Sequence, residues 1–141
     1  MITVLDIETT FSKEGDPSPF NPDNRLVSVG INDEYYFFYH DEEIKKDLTE
    51  SRKAIQNILN ESDVVVGHNL KFDMSWLYQC GFTYKGKLYD TMLGEYIINR
   101  GEKKSVSLKE SCRRRGISLK SDILATYMNE GYGIHQIPMS K

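Results

Sequence analysis

Two short apolar runs, each leading directly into acidic side chains, constrain the fold of this chain most strongly. Residues 2–7 form the first run, which contains Asp6 and is followed by Glu8. Residues 64–66 form the second, which Gly67 ends shortly before Asp73. Apolar, β-branched runs of this length favour buried strands. Because functional side chains often follow the ends of strands, we expect these three carboxylates to be chemically active.

The rest of the chain alternates strand and helix patterns. Residues 25–31 and 35–40 predict two further strands, and the Pro- and Gly-containing residues 11–24 predict a loop. Helical spacing predicts helices over residues 41–60, 70–81 and 91–101, and a short extended piece at 88–89. Ser107 and Glu110 form a capping box for a last helix that ends at Gly116. This order predicts a single α/β domain over residues 1–141, with helices packed on a sheet.

Composition narrows the function only slightly. The chain of 141 residues has a net charge of −3, but residues 100–120 hold eight basic and two acidic side chains. The net charge of that stretch is therefore +6 and that of the remainder −9. The basic stretch suits either binding to a phosphodiester backbone or a solvated helix and loop. The two cysteines, Cys80 and Cys112, have no metal-like spacing. With no membrane-length apolar stretch and no signal peptide, we expect a cytoplasmic protein (host cytoplasm if viral) and no membrane partner.

The spacing of the acids indicates metal chemistry. Asp6 and Glu8 are two residues apart, so a strand points both to one face. Asn69 and Asp73 have i, i+4 spacing, so a helix would point both the same way. Two carboxylates 4 Å apart repel by about 4 kcal/mol at an effective dielectric near 20. Each piece alone has an ordinary structural explanation, but together they predict a site for hard divalent cations and phosphate chemistry.

Three segments also resemble a known family. Residues 4–10, Val-Leu-Asp-Ile-Glu-Thr-Thr, resemble the first exonuclease motif of the DEDD superfamily. Residues 65–73, Val-Val-Gly-His-Asn-Leu-Lys-Phe-Asp, resemble its second motif, and residues 88–97 are similar to the segment that follows in family A DNA polymerases. The resemblance implies a ribonuclease H-like mixed sheet flanked by helices. It also implies proofreading during DNA replication. In this activity, nucleotides are removed from DNA 3′ ends by phosphodiester hydrolysis that uses two Mg²⁺ or Mn²⁺ ions.

The resemblance also implies roles for individual residues. Asp6 would bridge both metals, Glu8 would bind one, and Asp73 would hold the second. Asp90 resembles a helix cap rather than a fourth ligand. The residues expected to contact the single-stranded DNA 3′ end are Thr9, Thr10, His68, Asn69 and Phe72.

One feature of the family pattern is missing. The third motif requires Tyr-x-x-x-Asp or His-x-x-x-x-Asp, and no aspartate follows Asp122. We therefore expect a phage-like domain cut before its third motif and last helix, with weak activity or none alone. Two alternatives stay open. The chain could be an incomplete half of a split enzyme that binds a second polypeptide, such as a DNA polymerase chain supplying that motif, or it could be an RNA-trimming exonuclease of the same superfamily.

Overall fold

Five strands and four helices make up the described part of the chain. The computed structural model describes residues 1–11, 15–39, 48–100, 102–117, 130 and 135. The strands are β1 Ile2–Thr9, β2 Leu26–Ile31, β3 Glu34–Phe37, β4 Val64–Gly67 and β5 Lys87–Asp90. The helices are α1 Leu48–Glu61, α2 Leu70–Gln79, α3 Thr91–Ile98 and α4 Leu108–Arg114. The predicted α/β class is confirmed.

The strands form one mixed sheet in the order β3-β2-β1-β4-β5. Strands β1, β4 and β5 are parallel, and β2 and β3 are antiparallel to their neighbours. In the β1–β4 pair, Ile2 lies opposite Val64 and Val4 opposite Val66. Parallel strands end at the same edge of a sheet, so the segments that follow β1, β4 and β5 all start at one edge. The sheet therefore collects the first and second sequence motifs at this edge.

Some predicted boundaries are wrong. Strand β1 continues through Glu8 to Thr9 because its ladder with β2 runs past an irregularity as far as the Thr9–Leu26 pair. Strand β3 ends at Phe37 rather than at residue 40, and α3 ends at Ile98 rather than at residue 101. The predicted helix start at residues 41–47, together with residues 40 and 101, lies outside the described residues.

Alternation along β1 separates the core from the acids. Its odd-numbered side chains, such as Leu5 and Ile7, are buried with residues of α1 and α2 in one apolar cluster. The even-numbered side chains lie on the other face, where Ile2 and Val4 are largely exposed. We call this second face the open face of the sheet. Among the described helices, none combines the length and apolar character that crossing a bilayer requires.

A buried carboxylate joins α3 to α4. Glu95 is 7% exposed and accepts a hydrogen bond of 2.9 Å from Arg114 Nη2, and it also pairs with Arg115. The Arg114 hydrogen bond, aided by the charge of Arg115, holds the pKa of Glu95 below its usual range, although desolvation acts in the opposite direction. Part of the basic stretch seen in the sequence is therefore neutralised inside the fold.

We expect Glu95→Gln to lower the stability of the domain at neutral pH. Because the pKa of Glu95 is lowered by folding, its contribution is present above the unfolded pKa and is lost as pH falls through the folded pKa. The difference from wild type should therefore shrink below about pH 4.3. Urea unfolding between pH 3 and pH 7 measures this. Glu110→Gln, which removes an exposed pair with Arg113, is the control and should cost at most about 1 kcal/mol.

Candidate active site

The acids of the first motif lie on the open face of the sheet. Asp6 is exposed and Glu8 is half-buried, and both alternate with buried neighbours along β1. The residue opposite Asp6 on β2 is Gly30, where an added Cβ would lie 3.0 Å from the ring of Tyr35. The expectation that Asp6 and Glu8 share one face of a strand is confirmed.

Asp73 occupies a different environment. It lies in the first turn of α2 and is only 4% exposed, among the residues that α2 buries. Helix α2 comes this close to the sheet because Gly67 ends β4. A Cβ at Gly67 would lie 2.5 Å from Leu70 Cδ2 and 2.8 Å from the carbonyl oxygen of Leu5. The absence of a side chain at Gly67 therefore sets the approach of the helix that carries Asp73.

The loop after β1 is fixed to the same helix. The indole Nε1 of Trp76, one turn beyond Asp73, donates a hydrogen bond of 2.9 Å to the carbonyl oxygen of Pro17. At the base of the loop, Thr10 N donates to the Arg25 carbonyl oxygen and Arg25 N donates to Thr10 Oγ1, at 2.9 and 2.8 Å. The loop thus links the exit of β1 to α2. Trp76 is 3% exposed, so this hydrogen bond satisfies the one polar atom of a buried side chain.

The three acids have the right chemistry for a metal but are not a preformed cluster. Carboxylate oxygens are the ligands that Mg²⁺ prefers, and Mg²⁺ is commonly held by only one or two carboxylates together with water. Within the described ranges, no group of three or more Asp, Glu, His or Cys side chains is placed to hold a metal ion. Asp6 and Glu8 are thus two oxygen donors on one face of β1, and Asp73 is a further oxygen donor on the neighbouring element.

His68 is held on both sides of its ring. Its Nε2 donates to the carbonyl oxygen of Val106 at 2.8 Å, because a carbonyl can only accept. Its Nδ1 lies 2.8 Å from the hydroxyl of Thr91, which itself donates to the Gly67 carbonyl oxygen at 3.2 Å. The predicted substrate contact by His68 would require one of these bonds to open. The structure gives His68 a bracing role between β4, α3 and the segment before α4.

The other predicted substrate residues differ in accessibility. Asn69 is exposed, but it is the N-cap of α2 in a left-handed conformation, with φ 63° and ψ 52°. It lies outside the regular helix, so the expected i, i+4 face shared with Asp73 is wrong. Phe72 is partly buried and packs against the core, and Thr9 is 4% exposed. The Thr10 amide, expected near a nucleotide, is engaged by Arg25.

Asp90 has a larger role than the sequence predicted. Its side chain caps α3 by accepting from Met92 N at 2.9 Å, which confirms the predicted cap. It also accepts from Asn69 N and Leu70 N at the start of α2, each at 2.9 Å. Only the pairing of β4 with β5 brings these residues together, so a linear pattern carries no signal for the second role.

The five-stranded mixed sheet and its helices define an α/β protein with a ribonuclease H-like fold. Similarity to known proteins specifies its family. The family described as 3′-5′ exonuclease matches residues 13–127, which include Asp73 and begin after Asp6 and Glu8. The chain therefore belongs to the 3′–5′ exonuclease family, a family of metal-dependent hydrolases.

Two known proteins are similar to parts of the chain. DNA polymerase I of Aquifex aeolicus is 35% identical over 76 residues, which are 52% of this chain and 12% of the polymerase. The structure of Brucella melitensis NrnC with bound Mg²⁺ superposes with a TM-score of 0.56 at 20% identity. That superposition covers 85% of this chain and 56% of NrnC. The chain thus spans about half of NrnC and about an eighth of the polymerase, and the NrnC likeness supports the fold alone.

We predict that Gly67→Ala destabilises the domain by about 1–3 kcal/mol, because its Cβ meets a backbone carbonyl that cannot move aside. Gly94→Ala in α3 is the matched control. There the Cβ approaches only the flexible Tyr89 hydroxyl at 3.1 Å, and alanine is the better helix former. Chemical unfolding should show no loss for Gly94→Ala. Equal stabilities for the two variants would refute the steric role of Gly67.

Proposed function

We propose that this chain is a 3′–5′ exonuclease domain that removes nucleotides from DNA 3′ ends, as the proofreading step of DNA replication. The main structural support is the parallel pairing of β1 with β4, which places the exit of the strand that carries Asp6 and Glu8 beside the exit that leads into the helix of Asp73. Membership of the exonuclease family and the 35% identity to a DNA polymerase I over 76 residues support the choice of reaction and of DNA.

In this proposal two Mg²⁺ or Mn²⁺ ions are held by Asp6, Glu8 and Asp73. The metal dependence of the exonuclease family supports the choice of divalent ions, and the structure of NrnC contains Mg²⁺. When bound, such ions lower the pKa of a water ligand and stabilise charge on the leaving oxygen. The reaction adds the hydroxyl of water to the terminal phosphorus and breaks its bond to the 3′ oxygen of the preceding nucleotide. That oxygen takes up the proton, and a nucleoside 5′-monophosphate leaves.

The remaining residues would position the DNA strand. Asn69 is exposed beside the start of α2 and can offer its amide to the strand. Phe72 would pack beside the unpaired 3′ end from its half-buried position. His68, Thr9 and Thr10 would act mainly by holding the surrounding backbone, since His68 and Thr10 make hydrogen bonds within the fold and Thr9 is 4% exposed.

We expect Asp6→Ala to reduce Mn²⁺-dependent degradation of single-stranded DNA by at least about a hundredfold, because it removes a proposed metal ligand. The substrate is an oligonucleotide labelled at its 5′ end, so that 3′ shortening produces a ladder. Asp33→Ala removes an exposed acid from the β2–β3 turn and should leave the rate unchanged. Equal rates for wild type and Asp6→Ala would assign the activity to a contaminant and refute the proposal.

The same assay separates DNA from RNA. Oligonucleotides of one sequence in the two chemistries should be shortened at different rates, with DNA the faster if the domain proofreads. Faster shortening of RNA, abolished by Asp6→Ala, would favour the RNA-trimming alternative instead.

The apolar surface of α3 favours a second candidate function. Leu93, Tyr96 and Ile97 have the i, i+3, i+4 spacing of one helix face and are 57%, 64% and 72% exposed. Exposed apolar side chains grouped in this way are typical of interaction sites. In this candidate the chain is part of a split enzyme. Its partner is a DNA polymerase polypeptide that presents an apolar helix and the aspartate required by the third motif.

We predict that, in a split enzyme, activity increases only when this chain is mixed with the polypeptide encoded next to it. Ile97→Glu should then weaken both binding and the restored activity by at least about tenfold, because it places a charge in an apolar contact. Leu48→Glu, which places the same charge on an exposed apolar side chain at the start of α1, is the control. Full activity of the chain alone would contradict this candidate.

A further inference from the structure

Helix α2 has no cap of its own. The first backbone N–H groups of a helix lack partners within it and are usually satisfied by the side chain of the N-cap residue. Asn69 holds this position in α2, yet its side chain makes no capping hydrogen bond. Its left-handed backbone, which asparagine tolerates better than most residues, turns the chain sharply from β4 into the helix. The cap must therefore come from elsewhere.

The carboxylate of Asp90 supplies this cap from the neighbouring strand. Its Oδ1 accepts from Asn69 N and Met92 N, and its Oδ2 accepts from Leu70 N, all at 2.9 Å. One side chain thus satisfies the starts of both α2 and α3. A negative charge at the amino end of a helix is also favoured by the helix dipole.

The sheet explains why Asp90 can reach α2. Strands β4 and β5 are parallel, and Gly67 lies directly opposite Asp90 in their register. The turn after β4 and the turn after β5 therefore lie side by side. The second connection between them runs from the ring of His68 to the hydroxyl of Thr91 at 2.8 Å. These turns form one unit that is braced by two side chains.

We propose that Asp90 is a positioning residue for Asp73: by capping α2 in place of Asn69, it fixes the first turn of that helix and with it the metal-binding carboxylate. This inference rests on the proposed function, which assigns Asp73 to a metal. Asp73 lies three residues after Leu70, whose N–H is bound by Asp90 Oδ2. A shift of this first turn moves Asp73 directly, whereas the rest of α2 stays anchored through Trp76 and Leu77, which are 3% and 0% exposed.

A direct metal role for Asp90 is less consistent with its contacts. Three N–H groups already occupy acceptor positions of its two oxygens. The carboxylate of Asp90 thus accepts from backbone donors. Asp90 would affect metal binding indirectly, by positioning α2.

Asp90→Asn tests the proposal with little change in shape. An asparagine side chain has only one acceptor oxygen. If that oxygen takes the position of Oδ1, the bonds from Asn69 N and Met92 N are kept and one bond is lost. If it takes the position of Oδ2, both of those bonds are lost. The bond to Leu70 N is therefore the one lost. Hydrogen exchange at the Leu70 amide should speed up by about tenfold or more, while Met92 should change far less. The Mn²⁺ concentration at half-saturation, measured by electron paramagnetic resonance of free Mn²⁺, should rise by a similar factor.

Gln56→Ala is the matched control. Gln56 also binds backbone groups of a neighbouring segment, since its amide donates to the Thr83 carbonyl oxygen and accepts from Thr83 N, at 2.9 and 3.1 Å. Thr83 precedes β5, so these bonds lie toward the opposite edge of the sheet from the turns that carry Asp90 and Asn69. Gln56→Ala should lower stability while leaving Mn²⁺ half-saturation within about twofold of wild type.

The outcomes separate this inference from the proposed function. Normal Mn²⁺ half-saturation in Asp90→Asn, with weakened binding in Asp73→Asn, would overturn the positioning role alone. A weakening in Gln56→Ala equal to that in Asp90→Asn would also overturn it, because any loss of stability would then suffice. Equal Mn²⁺ binding by wild type and Asp73→Asn would refute the metal assignment of Asp73, and with it both proposals.

Discussion

The parallel pairing of β1 with β4 is the interaction on which the rest of this structure depends. The ladder from Ile2–Val64 to Val4–Val66 brings together two strands that lie more than 50 residues apart in the sequence. It buries Leu5 and Val65 on the side covered by α1 and α2. Because the strands run in the same direction, their exits share an edge, and so do the motifs that follow them. A shift of one residue in this register would exchange buried and exposed side chains along β1 and place Asp6 in the core.

The acids near this edge serve two distinct physical purposes. Glu95 and Asp90 are engaged by two guanidinium groups and by three backbone N–H groups, respectively, so their charges hold helices in place. Asp6 and Glu8 lie on the open face of the sheet, where Asp6 is exposed and Glu8 is half-buried. A family of metal-dependent hydrolases needs both kinds of acid. Carboxylates that recruit cations must stay accessible, and the elements that carry them must not move when a doubly charged ion arrives.

Much of this arrangement could be predicted from the sequence, because it depends on local patterns. The apolar run of residues 2–7 predicted β1, and the two-residue spacing of Asp6 and Glu8 put both on one face. Gly81 and Gly116, both with positive φ, follow α2 and α4. The roles of Asp90 and His68 could not be predicted in full, since their partners lie 20 to 38 residues away and meet them only through the β4–β5 pairing. The i, i+4 argument for Asn69 failed for a related reason. It assumed a helix that had already begun, whereas the cap from Asp90 allows Asn69 to turn out of it.

A cap supplied by another strand couples the geometry of two helices. If α2 carried its own cap at Asn69, its start could adjust independently of α3. With Asp90 shared, displacement of the α2 start strains hydrogen bonds at the α3 start, and α3 is joined through Glu95 to α4. His68 also joins the end of β4 to the segment before α4, because its ring donates a hydrogen bond to the Val106 carbonyl oxygen. The segment from the end of β4 to α4 therefore behaves as one braced unit against the sheet. Such bracing restricts Asp73 to one position, which the metal role proposed for Asp73 requires. On an uncapped helix, a buried carboxylate at this position would be held less firmly.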